Sequence, residues 1–283
     1  MAAGVPSPAA DAAALLAHVL GVPRTRLFLQ DRMDEQHRIS LESLVARRCN
    51  RVPLQHILGR TGFRHLDVEV GPGAFVPRPE TEIVADAAIR ALREAPDRLA
   101  VDLCSGTGVI ALALATEVPS ATVHAVELSP EALPWLQRNA AALADRITEV
   151  GSHLQVHADD ATTCASGSLS DIAGQVAVVV SNPPYIPIDA IPRDPEVRFH
   201  DPAMALYAGP DGLSVIRGVI ETAAVLLRPG GTLVIEHADA QGEEGGSRGV
   251  PGLLRPDPRW TSIRDLRDYA SLPRFTLAIR SDR

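Results

Sequence analysis

From Leu66 to Val70 the chain alternates strictly, apolar at 66, 68 and 70 and acidic at 67 and 69, with glycines at 59, 62, 71 and 73 around the run. A period of two sends alternate side chains to opposite faces, so the stretch from Ile57 to Val76 predicts a β-hairpin. Upstream the period is helical. Leu15, Leu16, Val19 and Leu20 share one face of a segment that Ser7-Pro8 opens as cap and first-turn proline, and Gly21 supplies a left-handed stop. A second amphipathic stretch begins at about Ser40 and carries Leu41, Leu44 and Val45.

Beyond a boundary at residues 71–77 the pattern changes. Strand-like runs at Leu99–Leu103, Thr122–Val126, Leu154–His157, Val176–Ser181, Thr232–Glu236 and Phe275–Ile279 are interleaved with helical patterns. These include Val109–Glu117, Pro130–Ala144 and Leu213–Leu227. Residues 241–258, with Gly245-Gly246, Pro251-Gly252 and Pro256, read as an irregular loop. Alternating strands and helices predict a doubly wound, mostly parallel α/β sheet, and no internal repeat is visible.

Composition removes several classes. Hydrophobic residues make up 46% of the 283 positions, enough for a substantial core. No run approaches the roughly 18 consecutive apolar residues that a membrane span needs. Met1 to Ala10 lacks the basic-then-apolar order of a secretory signal. Cys49, Cys104 and Cys164 form no CxxC pair, and His56, His65, His200 and His237 form no ligand set, so no metal is expected and a reducing cytoplasm fits best. The net charge is −8, and all 27 basic residues are arginine. Such a chain lacks the positive field on which sequence-independent nucleic-acid binding relies, although a local basic patch stays open.

Candidate chemistry begins at Val101-Asp102-Leu103-Cys104-Ser105-Gly106-Thr107-Gly108, a strand entering a glycine turn before a helix. Glycines there let the backbone approach a ligand and leave helix N–H groups available. Glu127 closes the next strand, where a carboxylate can accept both ribose hydroxyls of an adenosine. Asp159, just after the third strand, is placed to meet an adenine amino group. Gly106-Thr107-Gly108-Val109-Ile110-Ala111 also satisfies G-x-G-x-x-A, so these residues leave NAD open.

Ser181-Asn182-Pro183-Pro184-Tyr185 narrows the choice. Two prolines end the strand Val176–Ser181, since neither can donate to the ladder. The side-chain oxygen of Asn182 and the carbonyl of Pro183 can each accept one N–H of a planar NH2, and the prolines hold that backbone stiff. An amide nitrogen is a poor nucleophile because its lone pair is delocalised, the same effect that gives the C–N bond a rotation barrier of about 18–20 kcal/mol. Two fixed acceptors favour a pyramidal nitrogen and stabilise the charge that grows on it. Tyr185 offers a flat face to a planar group and a π-surface to positive charge. An NAD dehydrogenase leaves these residues unexplained.

With these motifs the chain resembles the peptide chain release factor N5-glutamine methyltransferases of the HemK/PrmC type. The resemblance also rests on Pro53-Leu54-Gln55-His56-Ile57-Leu58-Gly59, Val76-Pro77-Arg78-Pro79-Glu80-Thr81-Glu82, His200-Asp201-Pro202, Gly209-Pro210-Asp211-Gly212-Leu213, Pro229-Gly230-Gly231 and Glu236-His237. It implies a helical substrate-docking domain at 1–55, a hairpin linker at 56–76 and a seven-stranded, Rossmann-like class I methyltransferase domain at 77–283. It implies S-adenosylmethionine held by Cys104, Ser105, Gly106, Thr107, Gly108, Glu127, Asp160 and Asn182, and a glutamine pocket lined by Asn182, Pro183, Pro184 and Tyr185. Arg78 and Glu80 to Glu82 lie near its mouth. The implied substrate is the glutamine of the Gly-Gly-Gln loop of class I release factors, and the implied enzyme is a cytoplasmic monomer that touches neither nucleic acid nor membrane. Two departures from the family's pattern are peripheral: Ala238 replaces a common glycine, and 241–258 replaces what is often a helix.

Asn-Pro-Pro-Tyr is shared with methyltransferases acting on the amino groups of adenine or guanine in DNA and RNA, which form the second reading. The acidic charge and the missing target-recognition region weigh against it. A non-enzymatic binding module is the third, opposed by the intact glycine loop, Glu127 and Asn182 together.

Overall fold

The first helix, α1 (Pro8–Leu20), starts on Ser7-Pro8 and stops at Gly21, whose φ of 63° turns its N–H back onto the last carbonyls. The computed structural model to which it belongs describes residues 4–30 and 32–282; the first three residues of the segment read as lacking a signal lie outside them. Helix α2 (Glu35–Cys49) begins before Ser40, because the Asp34 carboxylate caps it by accepting from His37 N at 2.8 Å. Its first turn is polar and exposed, so the hydrophobic period does not reveal it. A short helix, α3 (Leu54–Leu58), leads into the hairpin β1 (Arg60–Phe63) and β2 (Leu66–Glu69). The register pairs Thr61 with Val68, and Phe63, Leu66 and Val68 are buried while Asp67 and Glu69 face water.

Then follow α4 (Thr81–Glu94), β3 (Leu99–Leu103), α5 (Val109–Glu117), β4 (Thr122–Glu127), α6 (Leu133–Ala142), α7 (Ala144–Glu149), β5 (His153–Ala158) and β6 (Val176–Ser181). The helix expected over Pro130–Ala144 ends inside that range, and α7 starts anew past Leu143. Two short helices, α8 (Pro195–His200) and α9 (Ala203–Leu206), precede α10 (Ser214–Leu226), β7 (Leu227–Glu236), α11 (Val250–Leu254), β8 (Trp260–Arg267) and β9 (Pro273–Arg280).

Seven strands form one sheet in the order β5-β4-β3-β6-β7-β9-β8. The first five run parallel, and β9 is antiparallel to both neighbours. Helices α4 and α5 cover one face through Val84, Leu92, Leu112 and Leu114, and the hairpin's Phe63 and Val68 join that core. Helix α10 covers the other through Ile216, Val219 and Leu226. Strand β8 escapes a period-two reading because bulges break its register and its edge position leaves Arg264, Asp265 and Arg267 outside the core.

The segment 241–258 is more ordered than its glycines suggest. It contains tight turns and α11, opened by Pro251 at its first turn, with Val250 and Leu254 buried. A Cβ on Gly249 would collide with the Gly242 carbonyl, and one on Gly252 with that of Gly246. Those glycines permit close backbone packing rather than looseness.

The helical segment is tied to the connection between β6 and α10. Arg48 of α2 donates to Asp11 of α1 and to Glu196 of α8, both at 2.7 Å, and Arg51 also bonds Glu196. Burial works the other way, but bonds from Asp194, Arg51 and Arg48 hold the Glu196 carboxyl down at about 2.

Candidate active site

The strand order reverses between β3 and β6, and in an open α/β sheet that reversal leaves a crevice at the carboxyl ends of the strands. The β3 exit makes three left-handed residues in quick succession: Cys104 (φ 62°), Gly106 (58°) and Gly108 (87°). At Gly106 a Cβ would meet nothing within 4 Å, so this side of the turn is open to a ligand. At Gly108 a Cβ would collide with Leu136 Cδ1. Gly108→Ala should therefore cost about 2–4 kcal/mol of stability, strain and overpacking together. Gly106→Ala, which meets only the backbone term, should cost about 1–2 kcal/mol. Chemical denaturation of the two variants checks the contrast.

Glu127, at the end of β4, is buried and faces this turn. Its Oε2 accepts from Gly106 N at 2.7 Å and its Oε1 from Ser129 N at 2.6 Å. Burial raises its carboxyl above the usual range, opposed by those N–H groups. Below it Asp102 is fully buried, pushed up to about 7 by burial, and its Oδ2 accepts from Ala111 N. Asn139 of α6 donates to both the Thr107 and Glu69 carbonyls at 3.0 Å, which joins the glycine turn to the hairpin.

The two aspartates after β5 part company. Asp160 lines the crevice with its carboxylate held by Thr162. Asp159, expected to meet an adenine amino group, does not line it; its Oδ2 accepts from Ser168 N and Oγ. Adjacent residues past a strand end face different ways, and the bonds to Ser168 decide which way Asp159 points.

At the β6 exit, Ser181 Oγ donates to the Leu103 carbonyl at 2.7 Å and locks the two strand ends together. Asn182 Nδ2 donates to Thr81 Oγ1 at 3.2 Å, which leaves the Asn182 oxygen for the crevice. The backbone after the prolines is clamped: Ile186 bonds to Leu206 and Ala208, and Gln241 Nε2 donates to the Tyr185 carbonyl at 3.0 Å. Burial raises the Tyr185 phenol, so it stays protonated. Arg78 pairs with Asp201 at 2.9 Å and lies 5.0 Å over the Phe75 ring, while burial lifts Asp201 to about 6 against that pull. Glu80 is exposed at the mouth, whereas Glu82 turns away to accept from Arg64 N.

One cavity of about 1140 Å³ brings these groups together. Cys104 to Thr107, Glu127, Asp160, Asn182 to Tyr185, Arg78 and Glu80 line it; Gly108 shapes the turn from behind. Its size exceeds what a single small ligand fills, leaving room for a nucleoside cofactor and an incoming side chain. Leu128 adds an apolar wall beside Glu127. Open space at Gly106, a carboxylate and an adjoining apolar wall fit an adenosine-bearing cofactor. Among the described residues no cluster of His, Cys, Asp and Glu could hold a metal. Thr81, Asp201 and Gln241 carry no local signal of their own, although Thr81 and Asp201 stand inside quoted motifs.

Two family models match the chain: the PrmC N-terminal domain at residues 1–59 and the methyltransferase small domain at 71–191. Over 279 residues it is 47% identical to the release factor glutamine methyltransferase of Streptomyces coelicolor, covering 98% of this chain and 92% of that one. The chain belongs to the release factor glutamine methyltransferase family. The member from Mycolicibacterium smegmatis is 45% identical, with 99% and 93% of the two chains covered. The more distant one from Deinococcus radiodurans is 38% identical, with 90% and 89% covered. Among solved structures, a T. thermophilus 16S rRNA N2 G1207 methyltransferase in complex with AdoMet and guanosine superposes with a TM-score of 0.50. Its identity is 18%, over 79% of this chain and 50% of that one, a likeness of fold. Membership of the glutamine methyltransferases gives the crevice its chemistry.

Proposed function

We infer that this chain transfers a methyl group from S-adenosylmethionine to the side-chain amide nitrogen of the glutamine in the Gly-Gly-Gln motif of class I release factors. Its family membership supports the reaction, and the observation that carries the site is the Asn182 amide, whose NH2 is committed to Thr81. When bound, the cofactor supplies an electrophilic methyl on a sulfonium sulfur. Cys104 to Thr107 and Glu127 would hold it, with Gly108 shaping the turn behind them, Asp160 beside them and Asn182 reaching both ligands. Asn182 Oδ1 and the Pro183 carbonyl then accept the two N–H groups of the glutamine amide. They aim its lone pair at the methyl carbon and stabilise the charge that the nitrogen gains. Transfer of the cofactor's methyl to the nitrogen so held would leave the C–S pair on sulfur, and the surplus N–H proton, held by Asn182 Oδ1 or the Pro183 carbonyl, would pass to solvent. Pro184 keeps the corner stiff and Tyr185 flanks the amide plane, with Arg78 and Glu80 at the mouth.

A protein substrate suits the rim. The 187–204 segment, which contributes Pro192, Arg193 and Met204 to the cavity, leaves Ile188, Ile191, Phe199 and Met204 more than half exposed. An apolar rim on a chain of charge −8 favours a protein loop over a phosphate backbone. Residues 1–55 serve as the docking unit, 56–76 as the linker and 77–283 as the catalytic unit. The site of action is the cytoplasm, where release factors work; among the described residues no helix is long and apolar enough to cross a membrane. Incubation of a purified release factor with methyl-labelled cofactor should place one methyl group on its Gly-Gly-Gln glutamine, read by mass spectrometry of peptides. Label confined to tRNA, rRNA or DNA would replace this reading with the nucleic-acid one.

A further inference from the structure

The amide of Asn182 has two nearly isosteric orientations, and only one serves the reaction. With Oδ1 toward the cavity it accepts the substrate N–H; turned over, it would set one NH2 against another and repel the growing positive charge. A hydroxyl partner alone does not choose between them, because Thr81 Oγ1 can accept from Nδ2 or donate to Oδ1.

The choice is made one residue further back. Thr81, the first residue of α4, and Glu236, the last of β7, are each 2% exposed. The Thr81 hydroxyl faces the Glu236 carboxyl in the same buried pocket and favours its ionised form, and Asn182 Nδ2 donates to Thr81 Oγ1 at 3.2 Å. Pairing of β6 with β7 sets Ser181 beside Ile235, so Glu236 and Asn182 are the next residues of neighbouring strands. Glu236 does not line the cavity, and its Oε2 has no hydrogen-bond partner among the described residues. A buried carboxyl with an unsatisfied oxygen is costly to keep and calls for a reason.

We propose that Thr81 and Glu236 are positioning residues that fix the polarity of the Asn182 amide. The Glu236 carboxylate, acceptor only, takes the Thr81 hydrogen; the Thr81 oxygen then accepts only from Asn182, and Asn182 Oδ1 is left for the substrate. This rests on the reading that Asn182 receives the glutamine amide. Burial raises the Glu236 carboxyl to about 7, opposed by the Thr81 hydroxyl and the Arg274 charge and assisted by Glu80, with the Tyr185 phenol also nearby. Below that value Glu236 gains a proton that it can donate to Thr81, which frees the Thr81 hydrogen to turn toward Asn182 Oδ1. Turnover therefore falls as pH drops through about 7.

The test uses the whole purified enzyme with a release factor substrate. Thr81→Val should lower kcat about 10²-fold, with cofactor affinity by calorimetry unchanged, and Thr81→Ser should restore most of the rate. Glu236→Gln should lose the acid limb of the pH profile near 7. In 15N-labelled protein the Asn182 side-chain NH2 resonance, assigned by its disappearance in Asn182→Ala, should move in Thr81→Val. A wild-type kcat in Thr81→Val, equal losses in the Val and Ser variants, or an unchanged pH profile in Glu236→Gln would overturn the proposal. Should Thr81→Val fail to fold, the Glu236→Gln profile decides. Absence of glutamine methylation by the wild type would instead remove the proposed function, so the two failures are distinct.

Discussion

Asn182→Ala should lower kcat by about 10³-fold or more, while the dissociation constant for S-adenosylmethionine rises only a few-fold. The asymmetry follows from where the side chain acts. On the proposed reading Asn182 Oδ1 is one of two acceptors that pull the amide nitrogen out of its planar, unreactive state, and that work matters most as charge develops. The same reading gives the grip on the cofactor mainly to the glycine turn and Glu127, both of which keep their own bonds when Asn182 is shortened. Stability should change little, because Asn182 is only partly buried and its one side-chain bond goes to Thr81. Single-turnover assays beside calorimetry separate the effects. An Asn182→Ala enzyme that turns over at the wild-type rate would remove Asn182 from the reaction.

The second large effect belongs to Glu127. Glu127→Ala should weaken cofactor binding about 10²–10⁴-fold, the loss of two bonds to a charged acceptor at roughly 1.5–3 kcal/mol each. The same substitution strips Gly106 N and Ser129 N of their acceptors, so the turn itself loosens. Glu127→Gln should be little better, because both oxygens already receive N–H groups and an amide NH2 would face one of those donors. Since burial raises the Glu127 carboxyl and the ionised form binds, affinity should weaken as pH is lowered toward its raised pKa. Calorimetry across pH provides the measurement, and an Ala variant binding within about threefold of wild type would take Glu127 out of the ribose site.

Much of the frame was legible because the signals are local. The alternation from Leu66 to Val70 places its own inward face, and α5 begins and ends where its hydrophobic run does. The two strand exits that matter, at Cys104 and Asn182, are marked by glycines and prolines whose backbone preferences do not depend on context. Strand β8 was not legible, since bulges and an edge position removed its period. Nor was the order within 241–258, where glycines mark backbone packed against backbone as often as they mark a loop.

Taken by itself, the sequence determined that strands and helices alternate, that a glycine turn and an Asn-Pro-Pro-Tyr corner sit at strand ends, and that a carboxylate stands at Glu127. Tertiary structure alone decided what each of these groups faces. It set Asp160 rather than Asp159 in the crevice, joined Asn182 to Thr81 across 101 positions and Arg48 to Glu196 across 148, and buried Glu236 behind them. Backbone conformation is a short-range property, governed by sterics within a few residues. The direction and partner of a polar side chain depend on which distant element excludes water from it, and that is settled only when the layers close.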